Sequence, residues 1–565
     1  MPGPSSLSYL LIIPHILSAA ALLSLGIFSG RFRATLLGLA LITSTAFLAV
    51  PSLNRPSELA VVPDSIEYAV IGSATLHGQP SSVTLEGTSH PSRYPYGFST
   101  YFVAPAKLLF GDNHRGEEVL LSTTYIFLGL LAAFFLGLRL GGVPVAALSL
   151  ATVTILPGYL PSASELLTYA PSAALGLILI VLLLEYFEQP KGHSLLFAGA
   201  SSTLLLATAA RPPSIFIMLG ALGAVVISQK GSLLRPAILT LFCVSLPSIL
   251  LVASYFLFNL KNFGELLRSG YSYWCSIPYD YFSKVLNLEH LPVSGAEALA
   301  AGAPLILFGV VSFLRKRSSN SELSQSVSTQ LTLSAYLILF SIPLAVFHSL
   351  YFFPSKLFFL QATIVSAPLL ALYIHSVISR AAPQHGRALS VLASVGAALV
   401  QALLVRATIP LGTPRGDTTR EIIETTPAGS RVITGIDPVS FRYLEERYLA
   451  DSSDAARRVP IPVSRRVEYA DKVVTPLRPV YPPIEGSTSL IHSPSIPFPD
   501  NTVVGNHQAI QLTAVEAISD IVGVVSAGQQ VYLELVFTSP EEQQRITRPF
   551  RVTKVTDKLV KLEAP

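Results

Sequence analysis

The chain has 565 residues, 51% of them hydrophobic and only 13% charged, and its mean hydropathy is +0.55. Soluble domains carry roughly a quarter charged residues, so this composition excludes a disordered chain and an ordinary cytoplasmic enzyme. A net charge of +4, from 38 Lys+Arg against 34 Asp+Glu, is too small to point to nucleic acid or another polyanion as partner. Two cysteines, Cys243 in an apolar run and Cys275 in a loop, exclude a disulfide framework and a cysteine-rich metal site.

Crossing the hydrocarbon takes about 20 apolar residues in a helix, because the backbone must satisfy its own hydrogen bonds there. The apolar runs are continuous rather than alternating, which predicts helices. Twelve candidate spans follow one another, at roughly 8–29, 34–51, 119–138, 142–158, 166–186, 195–210, 213–228, 236–258, 297–314, 330–348, 356–377 and 388–408. The first has no basic segment before it and its charges follow it, so it reads as a retained helix rather than a cleaved signal.

Basic residues orient the spans. Arg31 and Arg33, Arg139, Lys191, Lys230 and Arg235, Arg315-Lys316-Arg317, and Arg380 with Arg387 fall in alternate connections. Simple alternation puts all six on one side, which the positive-inside rule makes cytoplasmic. The loops at about 52–118 and 259–296 then lie outside, together with short links and everything after about 410. The expected architecture is a polytopic α-helical membrane protein of about 12 transmembrane helices in the plasma (inner) membrane. Its transmembrane domain is 1–409, with outside loops 52–118 and 259–296, and residues 410–565 form an extracytoplasmic α/β domain.

Within that last segment, Arg431–Ile436 reads as a strand and a helix starts near Pro438. Ala514–Val525 has helical spacing, Gly528-Gln529-Gln530 a turn, and Val531–Val536, Phe550–Val555 and Leu559–Leu562 strand patterns. The Pro- and Ser-rich stretch 459–500 reads as an extended loop. With no phosphate-cradling glycine loop or ligand cluster, the segment reads as a structural or acceptor-docking cap.

Ionisable residues are scarce within the spans, which argues against an ion-coupled transporter and moves the chemistry to loops at the membrane boundary. The first outside loop opens with Val62-Pro63-Asp64-Ser65-Ile66-Glu67-Tyr68. Asp64 and Glu67 share a face if this is a helix, and two such carboxylates can accept a proton or hold a cation. An N-cap with a capping-box-like partner is the alternative for the same pair. Next comes Ser92-Arg93-Tyr94-Pro95-Tyr96-Gly97-Phe98, leading into an amphipathic segment that ends Leu109-Phe110-Gly111 and suits a site partly in lipid. Arg211-Pro212-Pro213 and Phe353-Pro354-Ser355-Lys356 each place one cation near the outer surface, where it neutralises a phosphate or merely snorkels.

In this order the features resemble the GT-C superfamily of polytopic glycosyltransferases, in particular the bacterial relatives of protein O-mannosyltransferases and of the aminoarabinose transferase. The resemblance rests on an acidic D-x-x-x-Y opening (Asp64, Tyr68), a Y-P-x-G stretch and L-F-G (Tyr94, Pro95, Gly97; Leu109, Phe110, Gly111) and an R-P break (Arg211, Pro212). It continues with an N-x-x-x-F-G … G-Y loop (Asn259, Phe263, Gly264, Gly270, Tyr271) and a Ser-basic start to a late span (Ser355, Lys356). The chain departs from the pattern in having Asp-Ser-Ile-Glu instead of adjacent acids, Tyr96 for a second proline and Lys356 for Arg.

The resemblance implies transfer of a sugar from a polyprenyl-phosphate-linked donor to a glycan, lipid or protein acceptor on the outer face, with inversion. It makes Asp64 the base and Glu67 its helper. Arg211 and Lys356 become candidate phosphate ligands, and Tyr68, Arg93, Tyr94, Glu165 and Tyr271 further substrate-side candidates. Membrane lipids border the site, and no nucleic acid takes part. Asp64 and Glu67 make an incomplete ligand set for a divalent cation, so the need for one stays open. The alternatives are a lipid-linked oligosaccharide flippase or exporter, and an envelope polysaccharide polymerase or ligase.

Overall fold

Apolar runs bounded by Pro, Gly and basic residues fold as helices throughout the described chain. The computed structural model describes residues 6–28, 36, 38–40, 42–43, 63–78, 82–85, 88–92, 94–110, 120–156, 158–164, 166–188, 194–228, 234–267, 270, 286–288, 291–292, 296, 325–351, 356–408, 414–427, 430–434, 459–462, 518–536, 538 and 540–565.

In chain order, a 3-10 turn runs into α1 (Ile13–Phe28), followed by α2 (Pro63–Leu76), β1 (Ser82–Leu85) and β2 (Thr88–Pro91). A single π turn, Ser99–Val103, leads to α3 (Ala104–Phe110), and then come α4 (Leu120–Thr154), α5 (Tyr169–Glu188) and α6 (Ser194–Ala210). After a 3-10 turn (Pro212–Phe216) follow α7 (Ile217–Ser228), α8 (Leu234–Phe263) and α9 (Gln325–Ser349). A further 3-10 turn (Lys356–Phe359) opens α10 (Leu360–Thr363), α11 (Ser366–Ala381) and α12 (Gly386–Thr408). The last part comprises α13 (Pro414–Thr425), β3 (Arg431–Thr434), β4 (Val459–Pro462), α14 (Ile518–Ser526), β5 (Val531–Glu534), α15 (Pro540–Thr547), β6 (Arg551–Lys554) and β7 (Leu559–Glu563).

Among the described residues, Leu120–Thr154, Tyr169–Phe187 and Leu234–Asn262 are long and apolar enough to cross a membrane, as is the pair Leu357–Thr363 and Ser366–Ala381, bent by 61°. The other expected spans coincide with helices whose apolar stretches are shorter, and 34–51 and 297–314 lie largely outside the described residues. α4 combines two expected spans. Gly142 at φ +75 breaks it after Gly141, in backbone space that a side chain would strain, and Pro144 follows.

The chain forms two compact units: 1–56, 97–255 and 285–410 in the first, 57–96, 256–284 and 411–565 in the second. In the first, α4 packs on α11 and α12, α6 on α1 and α5, and α7 on α9. Gly220 of α7 sits so close to α9 that a Cβ there would meet the Leu339 carbonyl and come within 2.6 Å of the Phe340 Cα. Such small-residue contacts are how helices approach where lipid offers no hydrophobic drive. On α8, Leu239, Phe242, Leu246 and Leu250 form an exposed apolar stripe at helical spacing, as a surface facing hydrocarbon requires.

The scarcity of charge in the spans has two qualifications. Arg139 and Glu185 pair at 3.1 Å between α4 and α5, with side chains only 10% and 17% exposed. His15 is buried in α1, its Nε2–H donating to the Tyr101 carbonyl at 2.5 Å and its Nδ1 accepting from the Tyr125 hydroxyl at 3.0 Å. A carbonyl can only accept, so the hydrogen bonds select the Nε2–H tautomer. In α3, the segment expected to be amphipathic, Lys107 is buried while Leu109 and Phe110 are about half exposed.

In the second unit, β3 lies between β4 and β5 and is parallel to both, while β7 joins β5 and β6 antiparallel, giving the order β4-β3-β5-β7-β6. Ile433, Val531, Leu533, Val560 and Leu562 from the sheet pack with Ile521 and Val525 of α14, Ile546 of α15 and Phe550 into one core. β3, β5, β6 and β7 occur where the sequence patterns placed them, within one or two residues at each end, and Gly528 takes the left-handed turn at φ +79. The expected loop 459–500 instead begins with a strand, β4, because Val459–Pro462 pairs in parallel with Arg431–Thr434. The helix start expected near Pro438 and the loop after 462 lie outside the described residues.

Candidate functional site

The sequence-selected residues fall into two clusters, one in each unit.

In the second unit, Pro63 is the first helical residue of α2, where its missing N–H costs nothing. Asp64 therefore lies within the first turn. The helix N-terminus still favours its negative charge. Asp64 is half-buried, whereas Ser65, Glu67 and Tyr68 are buried. The Ser65 hydroxyl has no hydrogen-bond partner among the described residues. Gly78 ends the helix at φ +77, and β1 and β2 return the chain as a tight antiparallel pair, Leu85 facing Thr88 and Ser82 facing Pro91. That return brings Tyr94 against Tyr68, with ring centroids 4.8 Å apart, and the Ser92 hydroxyl donates to the Tyr94 carbonyl at 2.8 Å. Asp64, Glu67, Tyr68 and Tyr94 thus share one small substructure. The hairpin that joins them was not legible as alternating sequence.

Also in this unit, the N-x-x-x-F-G motif has a local structural explanation. Gly264, at φ +81, ends α8 by donating to the Leu260 carbonyl at 3.1 Å, and the Asn259 amide donates to the Leu266 carbonyl at 3.1 Å.

The second cluster is in the first unit. Arg211 follows the last residue of α6 and precedes Pro212, which excludes helical backbone there. Its backbone is extended (φ −147, ψ 112), which turns the chain off the helix path. Its guanidinium carbon lies 4.6 Å from the Tyr169 ring centroid and 4.7 Å from that of Phe358. The two rings are 5.5 Å apart, whereas rings on opposite faces of the guanidinium would be nearly twice as far apart. They therefore lie on the same side of it. Arg211 is half-buried and has no carboxylate partner among the described residues.

Phe358 belongs to the turn that begins at Lys356, so the fold draws the two sequence-selected cations to neighbouring backbone positions; the Lys356 side chain lies outside the described residues. Gln361, buried, fastens this turn by donating to the Ser172 carbonyl (3.0 Å) and to the Ser214 hydroxyl (2.8 Å). Gly97 of the Y-P-x-G motif abuts the same helix end: a Cβ there would meet the Tyr255 hydroxyl and, at 2.7 Å, the Ala209 carbonyl.

Sequence reasoning missed His348. It is the penultimate residue of α9, 2% exposed, stacked on Phe358 at 5.7 Å and edge-on to Phe359 at 5.9 Å. Its only sequence signal is its position between a span and the aromatic run Tyr351-Phe352-Phe353. Arg93, Glu165 and Tyr271 lie outside the described residues. Among the described residues no three His, Cys, Asp or Glu side chains gather as a metal site.

No family model matches the chain, and no curated protein matches it. Solved structures do. ArnT from Cupriavidus metallidurans bound to undecaprenyl phosphate superposes with a TM-score of 0.52 at 12% identity, over 93% of this chain and 99% of that one. ArnT from Cupriavidus metallidurans in the apo state gives 0.51 at 13% identity, over 94% and 100%. At such identities the likeness establishes the fold, and the GT-C resemblance read in the sequence holds at that level.

Proposed function

We propose that this protein is an integral membrane glycosyltransferase that moves a sugar from a polyprenyl-phosphate carrier to an acceptor on the extracytoplasmic face. The observation that carries this reading is Arg211. It is a half-buried cation backed by two aromatic rings and lacking a carboxylate among the described residues, in a chain with the fold of a protein solved with undecaprenyl phosphate. A cation so placed suits a phosphate that gains charge as it leaves.

In this reading the acceptor hydroxyl attacks the anomeric carbon from the side opposite the phosphate, and the configuration inverts. Asp64 takes the hydroxyl proton, and Glu67 positions Asp64 or the acceptor. The bond between the anomeric carbon and the phosphate oxygen breaks, its electron pair going to the polyprenyl phosphate held by Arg211 and Lys356. Tyr68 and Tyr94 offer an aromatic wall for a sugar ring, and Arg93, Glu165 and Tyr271 remain substrate-side candidates. Residues 410–565 form an extracytoplasmic domain that caps or docks the acceptor. The basic connections support an orientation in the plasma (inner) membrane with this domain outside.

Metabolic labelling of envelope glycans in cells with and without the protein tests the reading. Loss of one labelled glycan without it, restored by wild type and not by Asp64→Asn, is expected; identical glycans in both cells would refute it.

A further inference from the structure

Two buried histidines in the first unit stand in contrasting environments. His15 has both ring nitrogens satisfied, by Tyr101 and Tyr125. His348 is as deeply buried, yet its Nδ1 has no hydrogen-bond partner among the described residues. Buried polar atoms are almost always paired, so an orphan points to a partner the protein chain does not supply.

The surroundings indicate which kind. Phe358 is shared: Arg211 lies over its ring at 4.7 Å, and His348 stacks on it at 5.7 Å with 28° between the planes. The Arg211 charge also acts on the His348 ring. Phe347 and Phe359 make the other close ring contacts of His348, so among the described residues its neighbourhood supplies a cation and hydrocarbon and no acceptor for Nδ1. An anion held by Arg211 would supply that acceptor.

The two donors approach from different elements, α9 and the Arg211 turn. A tetrahedral phosphate suits this better than a planar carboxylate, because it can present a further oxygen out of the plane that a guanidinium engages.

We propose that His348 and Arg211 together form a site for a phosphate ester, diester in a sugar donor and monoester once the sugar has left, the His348 Nδ1–H donating to one oxygen while Arg211 neutralises the charge. That the phosphate is the carrier's rests on the function proposed above. The site would grip the carrier headgroup both in the donor and in the released polyprenyl phosphate.

The test uses the full-length protein in detergent. Affinities for undecaprenyl phosphate, for undecaprenol and for inorganic phosphate are measured on wild type, Arg211→Gln, His348→Phe and His348→Asn. Phe keeps the ring and removes the donor; Asn keeps a donor near Nδ1. Loss of one charge-assisted hydrogen bond predicts that His348→Phe weakens undecaprenyl phosphate about tenfold, leaves undecaprenol unchanged, and that His348→Asn stays within about threefold of wild type.

Equal binding of undecaprenyl phosphate by His348→Phe and wild type would overturn the proposal. So would parallel loss of both lipids, which would mark His348 as packing. Should His348→Phe not fold, the same comparison is made on His348→Asn against His348→Leu, and a phosphate-specific difference between those two supports the site. If His348-dependent binding is seen for inorganic phosphate and not for undecaprenyl phosphate, the anion site stands and the lipid-carrier reading falls. If Arg211→Gln loses undecaprenyl phosphate while every His348 variant keeps it, the carrier reading stands and the role of His348 falls.

Discussion

Phe358 lies beneath the guanidinium of Arg211, its ring centroid 4.7 Å from the central carbon, although the two residues are supplied by different helix ends. The contact holds a cation in place without neutralising it, which an aromatic ring can do and a carboxylate cannot. If that cation serves a leaving phosphate, charge and shape should both matter. Arg211→Gln is expected to lower kcat/KM for a polyprenyl-phosphate sugar by about 100-fold or more, and Arg211→Lys by an intermediate factor because a point charge replaces a planar fork. Steady-state kinetics with a lipid-linked donor would check this, and equal rates for Gln and wild type would contradict it.

Asp64 presents a half-buried carboxylate in the first turn of α2, with Glu67 one turn farther on and buried. Removing a general base costs about 100- to 10,000-fold in rate, so Asp64→Asn should abolish most transfer with membrane insertion intact. Glu67→Gln should cost less. A transfer assay paired with detergent-extracted yield separates the two effects.

Gly97 packs against the helix end that carries Arg211, and an added methyl would strike the Tyr255 hydroxyl and the Ala209 carbonyl. Overpacking of this kind costs about 1–3 kcal/mol. Gly97→Ala should therefore lower the melting temperature and also weaken lipid-phosphate binding, whereas Gly396→Ala, where a Cβ meets nothing within 4 Å, should change neither.

Arg139 and Glu185 form an ion pair that is mostly withdrawn from solvent. Breaking it on one side strands a charge, at a cost of about 3–5 kcal/mol. Glu185→Gln should accordingly reduce thermal stability more than the double replacement Arg139→Met with Glu185→Leu. Melting curves of the two variants and the wild type would decide it.

Glu421 of α13 receives a hydrogen bond from Lys558 at 2.9 Å across the second unit. Partial burial by itself pushes its carboxyl up, but the Thr556 hydroxyl, the Lys558 hydrogen bond and the Lys558 charge outweigh it and hold the carboxyl below its ordinary value of 4.5. A carboxylate depressed on folding stabilises above its unfolded pKa, and the stabilisation is lost as pH falls through the folded one. Glu421→Gln should thus melt lower than wild type at pH 7, and the gap should close as the pH drops below about 4. A gap that persists at low pH would assign the effect to packing.

Much of this was legible from local pattern. Continuous apolar runs with basic residues at alternate ends marked the helices, because hydrocarbon leaves the backbone no other partner. Gly264 and Asn259 were legible as a motif, and their meaning turned out to be a helix end. The Tyr68–Tyr94 pair was not legible, since it depends on a short hairpin whose residues do not alternate in polarity. Nor was His348, a single imidazole at the end of an apolar run, which in sequence looks the same as a histidine satisfied within the core, as His15 is.

Sequence alone therefore determined the solvent: half the residues apolar and few charged, in blocks of helical length, can only be accommodated in a membrane. It also singled out Asp64 and Arg211, because a rare charge beside a span is conspicuous in so apolar a chain. Only the tertiary structure decided what surrounds them. The rings of Tyr169 and Phe358 on Arg211, and beside them a His348 nitrogen without a partner among the described residues, arise where the ends of α5, α6, α9 and the Lys356 turn converge. Packing between distant segments sets that convergence, and no local periodicity encodes it.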